Sequence, residues 1–495
     1  MALRRNILAN YIGAGWTALM NVAFVSAYIR YLGAEGYGLV GVFALLIGLL
    51  TLVDLGMAPT VSREFARMRA SPDGGASDMA QLLRGVECVV GVLATVIAAV
   101  IWCGSGWLAE HWLGTRGIPV DDVASALRVM GVLVALRLVE NVYRSALIGL
   151  QRQVALNVVL ACSATWRNAG AFVVVAWFSP TAAAFFYWQL LAGVATVIAF
   201  AAVVYTIRPA VDAPRHFSFG PLQAAWRFAA GTMMVASMSV VLGNMDKVLL
   251  TRLLSLEAFG YYALAVVVAQ TPLGLVAPIA QAFYPRFTQL FAQGSVELSD
   301  TYHLACQLVS VLLGTATVFL VLLGHPLLLL WLHDPTTVDH VQSLVSILAV
   351  GSMLNGMMTL PYYLQLSAGW TGLTIRLNLL AITMVVPALL LFVPMYGPMA
   401  AACTWLGLNA GYTLVVVPLM HRRLLQGEQG MWYLHDVLRP LLAATFLGSL
   451  WRLAAPDTIS GIGGWFWLAM AGTTMLVAAA MAAPRLRRLI RSQPV

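Results

Sequence analysis

The sequence predicts an all-α, polytopic membrane protein of about fourteen transmembrane helices: two six-helix lobes related by a parallel internal repeat, plus two extra helices. Three observations predict it. The 495 residues are 61% hydrophobic and 10% charged, with a mean hydropathy of +0.84, where a soluble chain carries about a quarter charged residues. Apolar runs of about 20 residues recur from end to end, each able to cross roughly 30 Å of hydrocarbon at 1.5 Å per residue. Turn sequences recur at an offset of 222 residues. The alternating ten-residue segments of a β-barrel are absent.

The helices are expected over 8–31, 37–60, 82–104, 123–148, 154–178, 181–207, 226–250, 258–284, 302–324, 341–366, 373–394, 398–420, 434–453 and 462–482. The first follows the basic start "MALRRNILANYIG"; with no small-residue cleavage site after it, it reads as an uncleaved span. Turn residues part the neighbours: "LGAEGYG" at 32–38, "SPT" at 179–181 and "VPMYGP" at 393–398. The longest polar stretches, Arg63–Arg84 and Arg208–Arg227, leave no room for a catalytic domain, and an enzyme is not expected. The domains are therefore 1–207, the first lobe; 208–225, an inner linker; 226–420, the second lobe; and 421–495, two further helices and a basic tail.

Arginine placement orients the chain. With the N-terminus inside, 20 of the 28 basic residues fall on the inner side, among them Arg4, Arg5, Arg84, Arg152, Arg286, Arg422, Arg423 and Arg485. The outer loop "GHPLLLLWLHDPTTVDH" has none. Both ends then face the cytoplasm, and the net charge of +8 is a topology signal with attraction for anionic lipid, not for nucleic acid. Five cysteines without paired spacing read as small apolar packing residues.

The repeat is visible in "RYLGAEGYG", Arg30 to Gly38, against "RLLSLEAFG", Arg252 to Gly260. Both read R-x4-E-x-aromatic-G. Gly131, Tyr143 and Gly149 match Gly351, Tyr363 and Gly369 at an offset of 220, and "LN" at 156–157 matches "LN" at 377–378. Six spans lie within one period, so both halves insert the same way up. Two such lobes with a cleft between them suit transport by alternating access.

The stretches "YIRYLGAEGYGLVGVFALL", "LVDLGMAPTVSREFAR", "NMDKVLLTRLLSLEAFGYYALA" and "PIAQAFYPRFTQL" resemble the polysaccharide flippases of the MOP superfamily, the group that includes the Wzx O-antigen flippases. The resemblance spans about residues 1–420; many relatives have twelve helices, and this chain adds two. It implies a two-lobed protein in a bacterial cytoplasmic membrane. It implies that the substrate is an undecaprenyl-diphosphate-linked glycan, moved from the inner to the outer leaflet.

Charges at bilayer depth cost at least about 2.5–3.5 kcal/mol and usually face the bundle interior or a wet cavity. Helix 4 places Arg137, Glu140, Asn141 and Arg144 within an arc of about 100°. Helix 5 adds Arg167, about 22 Å along the helix from Arg152. The repeat partners of Arg137 and Glu140 are Met357 and Leu360, so this charge belongs to the first lobe alone. Arginine offers a fixed charge and a planar donor fork suited to phosphate. The same residues would equally form a closed ion ladder tying helices together. Arg376, beginning helix 11 on the inner side, could meet an anionic head group.

"GNMDKVLLTR" holds Asp246 and Lys247, the only lysine. Lys247 lies about 30 Å along helix 7 from Arg227, at the outer edge. The pair reads either as an outer gate or as an interfacial anchor; Arg30 and Asp54 are grouped with it as gate candidates. His325, His333, His340, Asp334 and Asp339 share an outer loop at no metal-ligand spacing, and no nucleotide motif is present, so no cofactor is expected. The expected function is a lipid-linked oligosaccharide flippase. Drive would come from a proton or other ion, or from the membrane potential, about 2.3 kcal/mol per charge per 100 mV. The alternatives are a drug or cation antiporter, which should favour carboxylates over arginines, and a lipid-linked peptidoglycan precursor flippase.

Overall fold

The structure, a computed structural model, describes residues 2–53, 61–62, 64–66, 68, 76–114, 117–207, 237–238, 240–370, 372–456 and 459–492. Asp54, Arg63, Arg116, Arg227 and the 208–225 linker lie outside them. The described residues are helical, with no strand beyond one isolated bridge between Gly114 and Ser255. Among the described residues, ten helical spans are long and apolar enough to cross a membrane. Among the described residues, each of the fourteen expected helices has a helical counterpart, the second and the seventh only in part. Large apolar side chains stay exposed along faces that a soluble protein would cover, as at Tyr187, Leu191 and Ile198. This is a multi-pass membrane protein.

The chain divides into two compact units, Met1–Gly260 and Tyr261–Val495. The first holds α1 (Ala2–Ala23), α2 (Val25–Val53), α3 (Ala76–Trp107), α4 (Val120–Gly149), α5 (Gln153–Val173), α6 (Ala182–Ile207), α7 (240–253) and the start of α8 (Leu256–Gln270). The second holds the rest of α8, then α9 (Val276–Ala292), α10 (Glu297–Val309), α11 (Thr315–Leu332), α12 (Pro335–Met357), α13 (Thr359–Ser367), α14 (Gly372–Tyr396), α15 (Pro398–Leu424), α16 (Arg439–Leu453), α17 (Gly461–Ala482) and α18 (Pro484–Ser492). Wide π-turns interrupt the helical path, including Leu108–Trp112, Ser310–Gly314 and Trp432–Leu438.

Local chemistry sets several ends. Asp334 caps α12: its carboxylate accepts from the Thr336 amide at 3.1 Å, and Pro335 opens the first turn. α15 likewise opens with Pro398 after Gly397. Asp121 and Asp122 sit at the electropositive start of α4.

Helix pairing recurs between the units. In the first, α3 packs on α4, α4 on α6 and α5 on α6; in the second, α11 packs on α12, α12 on α15 and α14 on α15. These are the same pairs under the sequence repeat. The cores are apolar: Phe65, Leu83, Leu138, Leu147 and Phe200 in the first unit, and Phe287, Leu313, Leu364 and Val417 in the second.

The repeated turn differs from the expected loop. α1 ends at Ala23, the helix resumes at Val25, and Gly33 (φ 71, ψ 172) kinks α2. One left-handed residue does what the seven residues of 32–38 were expected to do, a conformation that glycine adopts without steric cost. The two copies of the turn then meet reciprocally. A Cβ on Gly38 would stand 2.2 Å from the Leu256 carbonyl oxygen, and one on Gly260 would stand 2.1 Å from that of Ala34. Residues 34 and 256 are repeat equivalents, as are 38 and 260. The amide of Leu256 donates to the Gly114 carbonyl at 2.9 Å, and that of Gly117 to Glu35 Oε2 at 2.9 Å, which fixes Gly114 and Gly117 to the same place.

Candidate functional site

The charged face of α4 holds four of the candidate residues, Arg137, Glu140, Asn141 and Arg144. Glu140 is buried in a helix otherwise lined inward by Val, Leu and Ala. Its Oε2 accepts from Arg137 Nη1 at 2.7 Å, and its Oε1 lies 3.8 Å from Arg144 Nη1 with no hydrogen bond. The spacings of three and four put both guanidinium groups on one face. A buried carboxylate needs such partners, because an uncompensated charge there is costly. Arg137 is 23% and Arg144 39% exposed in the side chain. Each retains donors beyond those turned to Glu140. Asn141 is half-buried one residue further on.

Arg167 sits half-buried on α5, which touches α4. Its Nε is buried and meets no hydrogen-bond partner. The face of α5 around it is polar toward α1. Asn157 donates to Asn10 at 2.6 Å, Trp16 to Thr165 Oγ1 at 2.8 Å, and Asn168 to Asn21 at 3.2 Å. These rungs run in one direction along both helices and bind them side by side, as polar side chains do where no water competes. Beside Arg167 in sequence, Thr165, Trp166 and Gly170 join Trp16, Phe178 and Trp188 in lining an apolar groove of about 1100 Å³.

Other candidates occupy different places. Lys247 and Asp246 form an ion pair at 3.6 Å, with side chains 18% and 15% exposed, and Lys247 also donates to the Gly243 carbonyl at 2.8 Å. Arg30 and Arg376 are exposed. Asp54 lies outside the described residues. Arg128, nearer the start of α4, donates through Nε to buried Ser105 at 3.2 Å. The outer-loop residues have structural tasks: Asp334 caps α12, and His340 stacks on Tyr261 at 4.7 Å.

Sequence reasoning missed two clusters. Glu87 accepts from Tyr143 at 3.0 Å and from Tyr205 at 2.8 Å. In the second unit, buried His303 and Asp436 pair across 133 residues. Both clusters use residues near helix ends, where charge alone looks interfacial. His303 in an apolar span and Asp436 in "WYLHDVLRP" were the available signals.

A model of the family described as polysaccharide biosynthesis protein matches residues 3–291. The chain belongs to this family. The match takes in the charged face of α4, Arg167, and both copies of the repeated turn. The chain is similar to a Shigella flexneri protein named "Putative O-antigen transporter", 20% identical over 411 residues, covering 82% of this chain and 94% of that one. Among solved structures, the lipid II flippase MurJ in an inward-closed conformation superposes with a TM-score of 0.72 at 11% identity, over 98% of this chain and 99% of that one. An inward-facing MATE multidrug transporter of the MOP superfamily gives 0.69 at 16% identity, over 82% and 94%. The fold is thus the one these two structures share, and the MurJ match extends over the extra helices α16 and α17.

Proposed function

We propose that this protein moves a polyprenyl-diphosphate-linked oligosaccharide from the inner to the outer leaflet of a bacterial cytoplasmic membrane, with both termini in the cytoplasm. The observation that carries this reading is the arginine site of the first unit: Arg137 and Arg144 about buried Glu140, with the unpartnered Nε of Arg167 on the adjoining helix. A diphosphate offers several acceptor oxygens for such guanidinium donors. Asn141 would add a donor for phosphate or sugar hydroxyl. The apolar groove on another face of α5, which Arg167 does not line, suits the hydrocarbon part of the same molecule, so one unit offers chemistry for both the charged and the oily half of an amphiphilic substrate. Family membership and the O-antigen transporter's name support the glycan class.

Transport follows if the arginines are exposed to each side of the membrane in turn, the first lobe being 1–207 and the second 226–420. Arg376 would meet the substrate's anionic group on its entry from the cytoplasm, and Asp246–Lys247, with Arg30 and Asp54, would close the outer side. No bond is made or broken in the substrate. A cationic cargo is disfavoured, because the carboxylate at this site is already turned to arginines and Glu87 already accepts from two phenols.

The test uses the native host. Depletion of the protein should raise cytoplasm-facing lipid-linked glycan and lower surface glycan. Arg137→Ala combined with Arg167→Ala should reproduce that effect at normal membrane levels. Normal export by the double variant would sink the site assignment; unchanged glycan with greater sensitivity to cationic dyes would sink the substrate class.

A further inference from the structure

The second unit carries a buried ionisable cluster that the flippase reading does not use. His303, on α10, is fully buried. Its Nδ1 hydrogen-bonds Asp436 Oδ2, and its Nε2 lies 3.3 Å from Glu428 Oε2, at ion-pair distance though off the line of a hydrogen bond. The other oxygen of each carboxylate takes a neutral donor: Gln307 Nε2 at 2.9 Å on Asp436 and Ser299 Oγ at 3.0 Å on Glu428.

A neutral imidazole has one N–H and one lone pair. Here both ring nitrogens face carboxylate oxygens, so in either neutral tautomer a lone pair confronts an anion. The imidazolium removes that conflict. The surrounding groups offer no substitute cation. Arg485 is spent on Asp300, at 3.0 and 2.9 Å. His421 donates Nδ1–H to the Val417 carbonyl and stands edge-on to Tyr302. Tyr302, Cys306 and Tyr433 are neutral acids that add no positive charge. Asp436 itself sits in the π-turn Trp432–Leu438, a distortion often found at functional positions.

We propose that His303, Asp436 and Glu428 form a proton-binding site, in which one proton held by the imidazole between two carboxylates fastens α10 to the Trp432–Leu438 turn and to α18. The link to α18 is direct. Gln307, oriented by Asp436, accepts through Oε1 from the amides of Arg485 at 2.9 Å and Leu486 at 3.3 Å, two otherwise orphaned donors in the first turn of α18. Loss of the proton leaves two carboxylates about a neutral ring, and the lone pair that then faces one of them loosens the clamp through which Gln307 holds the start of α18. The site's ligand is the hydron itself, taken from the arginine-rich end of this unit.

The test needs no transport, so its failure and that of the flippase reading are distinguishable. The full chain, labelled with ¹⁵N-histidine, is titrated in lipid nanodiscs; the signal lost in His303→Gln assigns His303. In Asp436→Asn and in Glu428→Gln, His303 should release its proton at lower pH than in the wild type. Its proton affinity should fall about tenfold or more, the effect of removing a neighbouring anion. In the wild type, hydrogen exchange of the α18 amides, corrected for intrinsic rate, should quicken over the same pH range in which the His303 signal changes. An unaltered His303 titration in both variants overturns the proton site. Exchange at α18 that ignores that titration overturns the fastening.

Discussion

Replacing Gly260 by alanine tests the reciprocal turn contact. The added Cβ would stand 2.1 Å from the Ala34 carbonyl oxygen and 3.1 Å from the Gly38 amide nitrogen. Ordinary contact begins near 3.4 Å, so the turns must part by 3.4 − 2.1, or 1.3 Å. Neither obstacle is a side chain that can swing away; both are backbone. Overpacking that forces backbone shifts costs about 1–3 kcal/mol, and that is the expected loss in reversible denaturation in mixed micelles. Gly38→Ala meets the Leu256 carbonyl at 2.2 Å and should cost a similar amount. The double variant is the sharper measurement. Once one methyl has pushed the turns apart, the second enters space already opened, so the double loss should fall short of the sum by more than the 0.3–0.5 kcal/mol or so within which independent sites add. Strict additivity, or single losses under about 0.5 kcal/mol, the range of an unremarkable surface change, would refute the contact.

Three further outcomes are expected. Asp334→Ala should weaken the start of α12 by about 0.5–2 kcal/mol, read as faster amide exchange there. The Thr336 and Thr337 hydroxyls hold the Asp334 carboxyl below the usual range, so its capping is fully present above the ordinary aspartate pKa and is lost as pH falls through the lowered native value; acid should speed exchange in the wild type and leave the variant unmoved. Glu140→Gln leaves Arg137 and Arg144 without a counter-charge in an apolar helix, and thermal stability in detergent should fall by about 1–3 kcal/mol; an unchanged melt would show that the two arginines are fully solvated. Lys247→Arg should keep normal membrane levels and export, since it preserves the charge beside Asp246, whereas export lost at normal levels would show that the outer closure needs the lysine itself and not only its charge.

The spans were legible because a segment crossing hydrocarbon must be long and apolar, and that requirement is written in every window of 20 residues. The α4 ladder was legible for a similar reason: Arg137, Glu140 and Arg144 are separated by one helical turn each, so spacing alone puts them on one face. The bond from Arg128 to Ser105 was not, because it depends on which helix lies alongside α4. His303 and Asp436 are hidden for the same reason, with 133 residues between them and no local period that records the pairing. The kink at Gly33 was misread as part of a loop because glycine marks a turn without saying how many residues the turn needs.

The reciprocal glycine contact also bears on how the chain arose. In an isologous dimer, residue i of one subunit touches residue j of the other, and j touches i. Gly38 against Leu256 and Gly260 against Ala34 have that form, carried out within a single polypeptide. It is the interface that a half-length ancestor would have made with its own twin. In this chain the same geometry is intramolecular, and the arginines of α4 have no counterpart at the equivalent positions of the second half. A glycine is needed on both sides because each backbone occupies the space where the other's side chain would be.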